Sequence, residues 1–195
     1  MRTSAPELAP LFRSDKQGEL LAQILLNPED AFTTAELSRS TDTAYASVHR
    51  EVDRLIRMGL VHEERVGRAK RVRADLTSPA YQPLVDILLL TYGPAVVLPQ
   101  VLADVEHLEQ AYIYGSWAAR LHGEPGSPPG DIDVLAIGTP SRRDLYEAGR
   151  RAQQRLRREV NIRAISRASW ESAADSFVRT LHERPLVELT LERTS

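Results

Sequence analysis

The chain has 195 residues, 42% of them hydrophobic and 27% charged, with 25 Lys and Arg against 27 Asp and Glu for a formal net charge of −2. That balance is ordinary for a soluble globular chain long enough for one large or two small cores, and a near-neutral total can hold a basic half beside an acidic one. There is no cysteine, which excludes a disulfide framework and a thiolate metal centre and fits a cytoplasmic setting.

Residues 1–13 carry prolines at 6 and 10 and one stretch too short of apolar residues for a secretory signal, so a loose arm is expected. Ser14 followed by Gln17 is a capping-box pattern, and Leu20, Leu21, Ile24 and Leu25 recur at helical spacing until Asn27-Pro28 ends the helix. Thr33 followed by Glu36 opens a second, short helix that runs to about Arg39. The turn Ser40-Thr41-Asp42-Thr43 is expected to cap a third helix whose buried stripe is Val48, Val52, Leu55 and Ile56 and which stops at Gly59. The period then changes to two. Residues 60–66 and 70–74 read as strands joined by Gly67-Arg68-Ala69, a hairpin with a basic tip.

Residues 78–107 follow as two apolar helices, 81–91 and 95–106, broken at Gly93-Pro94. Asp86, Gly93, Pro94, Pro99 and Gln100 suit a membrane helix poorly, so no membrane partner is expected and the segment is read as a connector whose apolar surface serves a homodimer.

Beyond it, Ala111 and Ile113 share one face of a strand that leads into Gly115-Ser116, and 117–122 is helical. The turn-rich loop 123–130 leads to a second apolar strand that begins Asp131-Ile132-Asp133. A charged helix over 141–158 precedes a third strand, 159–165, with Val160, Ile162 and Ala164 toward the core. Helices near 167–173 and 175–183 and a last strand over 186–191 complete the chain.

In a strand, residues i and i+2 point the same way, so Asp131 and Asp133 stand together, about 6 to 7 Å apart along one edge. Two such carboxylates suit Mg²⁺ shared with the phosphates of a nucleotide. Gly115 lets the backbone approach a phosphate, and Ser116 opens a helix whose free amides attract an anion.

The stretch YGSWAARLHGEPGSPPGDIDVLAIG resembles the minimal nucleotidyltransferases, small members of the DNA polymerase beta superfamily. The resemblance implies an NTP held by Gly115 and Ser116 and metal ions held by Asp131 and Asp133. Active members carry a third carboxylate on the third strand, where this chain has Asn161. Asparagine takes no proton near neutral pH. Glu159, of the same parity, is the candidate substitute base, and Arg163 on that face is placed to pair with the two aspartates.

The phrase SVHREVDRLIRMGLVHEERVGRAKRVRA, after two shorter helices, resembles the winged helix-turn-helix of ArsR-type and MarR-type regulators. On that likeness Thr43, Tyr45, Ser47, His49 and Arg50 face base edges of double-stranded DNA, Arg54 and Arg57 reach phosphates, and the wing adds Arg65, Arg68, Lys70, Arg71 and Arg73 without an acid among them. The expected fold is α+β: a winged helix-turn-helix over 14–76, a helical connector over 77–108, and a nucleotidyltransferase-like mixed sheet flanked by helices over 109–195. The expected function is transcription regulation, with nucleotide and Mg²⁺ as ligands. The alternative is an active nucleotidyltransferase, with Asp131, Asp133 and Glu159 as catalytic residues, that moves an NMP onto a protein, RNA or small-molecule hydroxyl. A third reading is an interaction module that folds with a partner subunit.

Overall fold

A computed structural model of the chain describes residues 11–67, 69–125 and 128–191. The protein is α+β and divides into two compact units, Met1–Gly93 and Pro94–Ser195.

In the first unit, α1 (Asp15–Leu25) begins where the Ser14 side chain accepts from the Gln17 amide. The return bond of the expected box is displaced by one residue, because Gln17 Oε1 accepts from Arg13 N at 3.0 Å. Helix α2 (Thr34–Ser40) has the complete capping box of Thr33 and Glu36. Helix α3 (Tyr45–Arg57) departs from expectation: its N-cap is Ala44, with no side-chain cap. The polar turn before it spends its hydroxyls on itself, Ser38 Oγ donating to Thr43 O and Thr43 Oγ1 to Thr41 O. Strands β1 (Val61–Val66) and β2 (Ala69–Ala74) form an antiparallel hairpin in which Val66 pairs with Ala69. Gly67 takes the positive φ of 63° that so short a turn requires.

Phe32, between α1 and α2, adds a single bridge to Val72, with both amide bonds made (2.9 and 2.8 Å). That bridge ties the hairpin to the helices. Ile24, Leu25, Leu37 and Leu88 are sealed in this core at zero exposure, and each such side chain stabilises by about 1.5–3 kcal/mol. Helix α4 (Tyr81–Tyr92) packs on α1, turning Val85, Leu88 and Leu89 inward. The Tyr92 ring lies over Gly18, where a Cβ would meet its hydroxyl at 2.0 Å, so a side chain at position 18 would displace the ring. On the outer side of α4, Leu90 remains exposed.

The second unit starts with α5 (Pro94–Leu102). Residues Tyr81–Leu102 together are long and apolar enough to cross a membrane, but half of that stretch is buried, and it breaks at Gly93. Strand β3 (Leu108–Tyr114), α6 (Gly115–Leu121), β4 (Asp131–Gly138), α7 (Arg142–Leu156) and β5 (Glu159–Ile165) follow, then α8 (Arg167–Ser172), α9 (Ser176–His182) and β6 (Val187–Glu188). The last strand is two residues long, where 186–191 was expected. The sheet order is β5-β4-β3-β6, with β4 and β5 parallel and the other pairs antiparallel.

Alternation assigns the two faces of this sheet. Ala111, Ile113, Ile132, Val134 and Ala136 are fully buried on one side, together with Trp117 and Ala148 from α6 and α7. On the other, Leu135 and Ile137 pack with Leu181 beneath a layer of Tyr112, Tyr114, Trp170 and Phe177. Tyr112 stacks on Trp170 at 5.6 Å and Tyr114 meets Phe177 edge-on at 5.7 Å. Asp131 and Asp133 lie on this second face, at the end of β4 that the aromatic layer leaves open.

Candidate functional site

Strand register builds the site. Tyr114, the last residue of β3, pairs with Asp133, so the turn at Gly115 comes down beside the acidic end of β4. Gly115 has φ 70°, and a Cβ placed there would sit 3.0 Å from Asp133 Oδ2. Glycine is therefore required twice over, for the left-handed backbone and for the room the carboxylate occupies. The parallel neighbour β5 sets Glu159 beside Asp131 and Asn161 beside Asp133. Arg158, just before β5, donates to the carbonyl of Pro129 at 2.6 Å and so ties the loop entering Asp131 to the start of β5.

Burial, then the charge of Asp131, raises the Asp133 carboxyl above its ordinary value of 3.8, against a lowering by the hydrogen bond from the Asn161 side chain. The Tyr114 hydroxyl is raised as well, by burial first and by Asp133 second, with Arg163 opposing. Two carboxylates pressed together and partly desolvated favour a cation between them. Among the described residues no cluster of three or more His, Cys, Asp or Glu stands ready for a metal ion. Two carboxylates do not make a protein-only cage, and an ion held by them would complete its shell with waters or other oxygens. Asp131 and Asp133 would hold that ion, which supplies charge neutralisation at the phosphates. Helix α6 is only seven residues long, so an anion near Ser116 would meet the turn amides more than a summed dipole.

The expected pairing of Arg163 with the aspartates does not occur. Its guanidinium lies 3.8 Å over the ring of Phe177, a cation–π contact on the same sheet face. Phe177 is a site neighbour that sequence reading missed. The signal was available in β3, where Tyr112 and Tyr114 alternate with the core residues Ala111 and Ile113 and therefore require cover on the opposite face.

In the first unit, Tyr45, His49 and Arg50 are exposed on α3, Thr43 and Ser47 partly so. Tyr45 and His49 lie 6.2 Å apart, His49 pairs with Asp53 at 3.1 Å, and Arg50 donates to Ser47 Oγ. Arg54, about a third exposed, pairs with Glu51 at 2.7 Å. The wing carries ion pairs as well. Lys70 pairs with Glu63 at 3.0 Å and Arg73 with Glu64 at 3.3 Å, while Arg71 donates to Ala31 O and stands 3.7 Å from Glu36. Antiparallel pairing brings these partners across from β1 and α2, so the hairpin is less positive than a count along β2 suggests. Arg68 lies outside the described residues.

The chain matches no protein-family model, no curated protein and no solved structure. What can be said of its function therefore rests on these two groups of residues.

Proposed function

We propose that the protein is a DNA-binding regulator, with a winged helix-turn-helix over 14–76, a helical connector over 77–108 and a nucleotidyltransferase-like domain over 109–195 that binds a nucleotide with Mg²⁺. The observation that supports DNA binding best is α3, which leaves Tyr45, His49, Arg50 and Arg57 exposed. The hairpin tied to the helices by the Phe32–Val72 bridge stands as the wing. A helix of this kind fits the major groove, with Arg50 reading a base and Arg57 a phosphate.

The test is a gel shift on duplexes selected by the protein from a random pool. Arg50→Ala is expected to weaken the selected duplex by about 1–3 kcal/mol, roughly fivefold to 150-fold. Arg57→Ala should weaken selected and unselected duplexes alike and reduce the salt dependence. If no duplex is retained, or if Arg50→Ala binds as the parent does, the regulator reading is wrong. Nucleotide and Mg²⁺ act by linkage: a ligand that prefers one state of the protein shifts its DNA affinity. Equal affinities with and without each NTP would remove that coupling.

The enzymatic alternative requires Glu159 as base, and the register sets Glu159 beside Asp131, one pair removed from Asp133. Asn161→Asp restores a carboxylate next to Asp133. Incubation with α-labelled NTP, Mg²⁺ or Mn²⁺ and cellular RNA or protein is expected to give no label with the parent chain. Label that the parent transfers and Asn161→Asp increases would make it a weakened enzyme instead.

A further inference from the structure

Among the described residues, strand β5 is bonded to β4 on one side only, and no strand pairs with its other edge. Such an edge is a template for another strand, which proteins ordinarily blunt with proline, a bulge or very short length. The opposite edge of this sheet is β6, two residues long and preceded by Pro185. Strand β5 has none of these protections: no proline interrupts it, its pairing with β4 is regular over seven positions, and none of its side chains is fully buried. Beside it runs a groove of about 1170 Å³, walled by α7 residues that include Arg142, Tyr146, Arg150 and Gln153.

The residue pattern says what fits. Glu159-Val160-Asn161-Ile162-Arg163 reads acid, apolar, amide, apolar, base, which is its own complement when the strand is reversed. We infer that β5 pairs antiparallel with β5 of a second copy of this chain, centred on Asn161, so that Glu159 faces Arg163 of the partner subunit twice across the axis. Val160 then meets Ile162 on the other sheet face, and Asn161 meets its own counterpart. Shifting the register by one residue either way sets Glu159 opposite an uncharged residue or moves it past Arg163, so charge selects this alignment.

The position of Glu159 also favours it. Glu159 lies beside Asp131 in the neighbouring strand, two acids on backbones about 4.8 Å apart. The partner's Arg163 would arrive at that pair, so each copy supplies a guanidinium to the acidic end of the other. Arg163 exchanges its contact with Phe177 for Glu159 of the partner subunit in reaching outward. On the α7 side, Arg150 is paired with Glu147 at 3.1 Å, and Tyr146, 70% exposed, offers apolar surface for the approaching copy. The pairing stands whether or not the site binds nucleotide.

Sedimentation equilibrium of the full chain is expected to show a reversible dimer. Glu159→Arg or Arg163→Glu each turn two attractive cross-strand pairs into repulsive ones and should weaken the dimer roughly tenfold or more, while the double exchange returns it to within about threefold of the parent. A monomer at all concentrations overturns the inference and leaves the arginine wall of the groove to an anionic partner. Single variants that dimerise like the parent, or a double exchange that restores nothing, overturn it too. A second readout does not depend on charge. The chain has no cysteine, and directly opposed antiparallel residues have Cα atoms about 4.5 or 5.5 Å apart, within disulfide reach. Asn161→Cys should therefore oxidise to a covalent dimer and Glu171→Cys, on α8, should not. If the Asn161→Cys chain stays monomeric under oxidation, β5 is not at the axis.

Discussion

Asp133→Asn is expected to abolish Mg²⁺-dependent nucleotide binding while raising the melting temperature of the C-terminal unit. The two effects have one cause. Asp133 is held partly out of water beside Asp131, so its folded-state pKa lies above the ordinary 3.8. A raised carboxyl pKa means that the folded state keeps the proton to higher pH than the unfolded chain does. Stability is therefore fully present below the ordinary carboxylate range and falls as pH rises from about 3.8 through the elevated folded value. Asparagine removes this penalty, and the hydrogen bond from Asn161 survives on the new carbonyl. The site is half open to solvent, so screening holds the gain to about 1 kcal/mol or less, a rise of a few degrees. Calorimetry across that pH window checks the sign: the gap between variant and parent should open as pH rises. Binding moves the other way, since one carboxylate cannot replace two in holding a dication against a triphosphate. Isothermal titration with an NTP and Mg²⁺ should show at least about a hundredfold loss, on the scale of several kcal/mol for a charge that coordinates a metal. A variant that melts lower than the parent at neutral pH, or still binds NTP with Mg²⁺ equally well, would contradict this account of the site.

Gly115→Ala is expected to destabilise the same unit and to disable the site together. The left-handed backbone at φ 70° costs a residue with a Cβ about 1–2 kcal/mol, and the new methyl falls 3.0 Å from Asp133 Oδ2. Relief requires Asp133 to swing away from Asp131 or the β3–α6 turn to open, and overpacking of this kind adds about 1–3 kcal/mol. A drop of roughly 10 °C in the unfolding of the unit is the expected reading, with loss of nucleotide binding even well below that transition. Gly67→Ala, at a similar φ but with nothing within 4 Å of its Cβ, is the control that carries strain without the clash. Equal losses at both positions would show that backbone strain alone, and not the packing of Asp133, explains the requirement for glycine.

Much of this molecule could be read from residues in order. The capping residues Ser14 and Thr33 each mark a helix start. The change of period after Gly59 marks the hairpin, and the alternation in 159–165 gives β5 with its full length. These are local matters, decided by hydrogen-bond partners a few residues away and by periodic burial. Asp131 and Asp133 were likewise legible as a pair, because one strand fixes their common side.

What the order of residues did not determine was partnership across elements. The hairpin cations Lys70, Arg71 and Arg73 met their acids only when β1 and α2 brought Glu63, Glu36 and Glu64 to them. Arg163 looked like a mate for the aspartates until α9 set Phe177 under it. Asn161 was legible as a missing acid, but only the parallel register with β4 made it the donor to Asp133 and left Glu159 beside Asp131. Charge and hydrogen-bond energies depend on distances of a few ångströms between residues far apart in the chain. The sequence by itself determined which side chains share a face; the sheet order and the helices laid over it decided which charges meet.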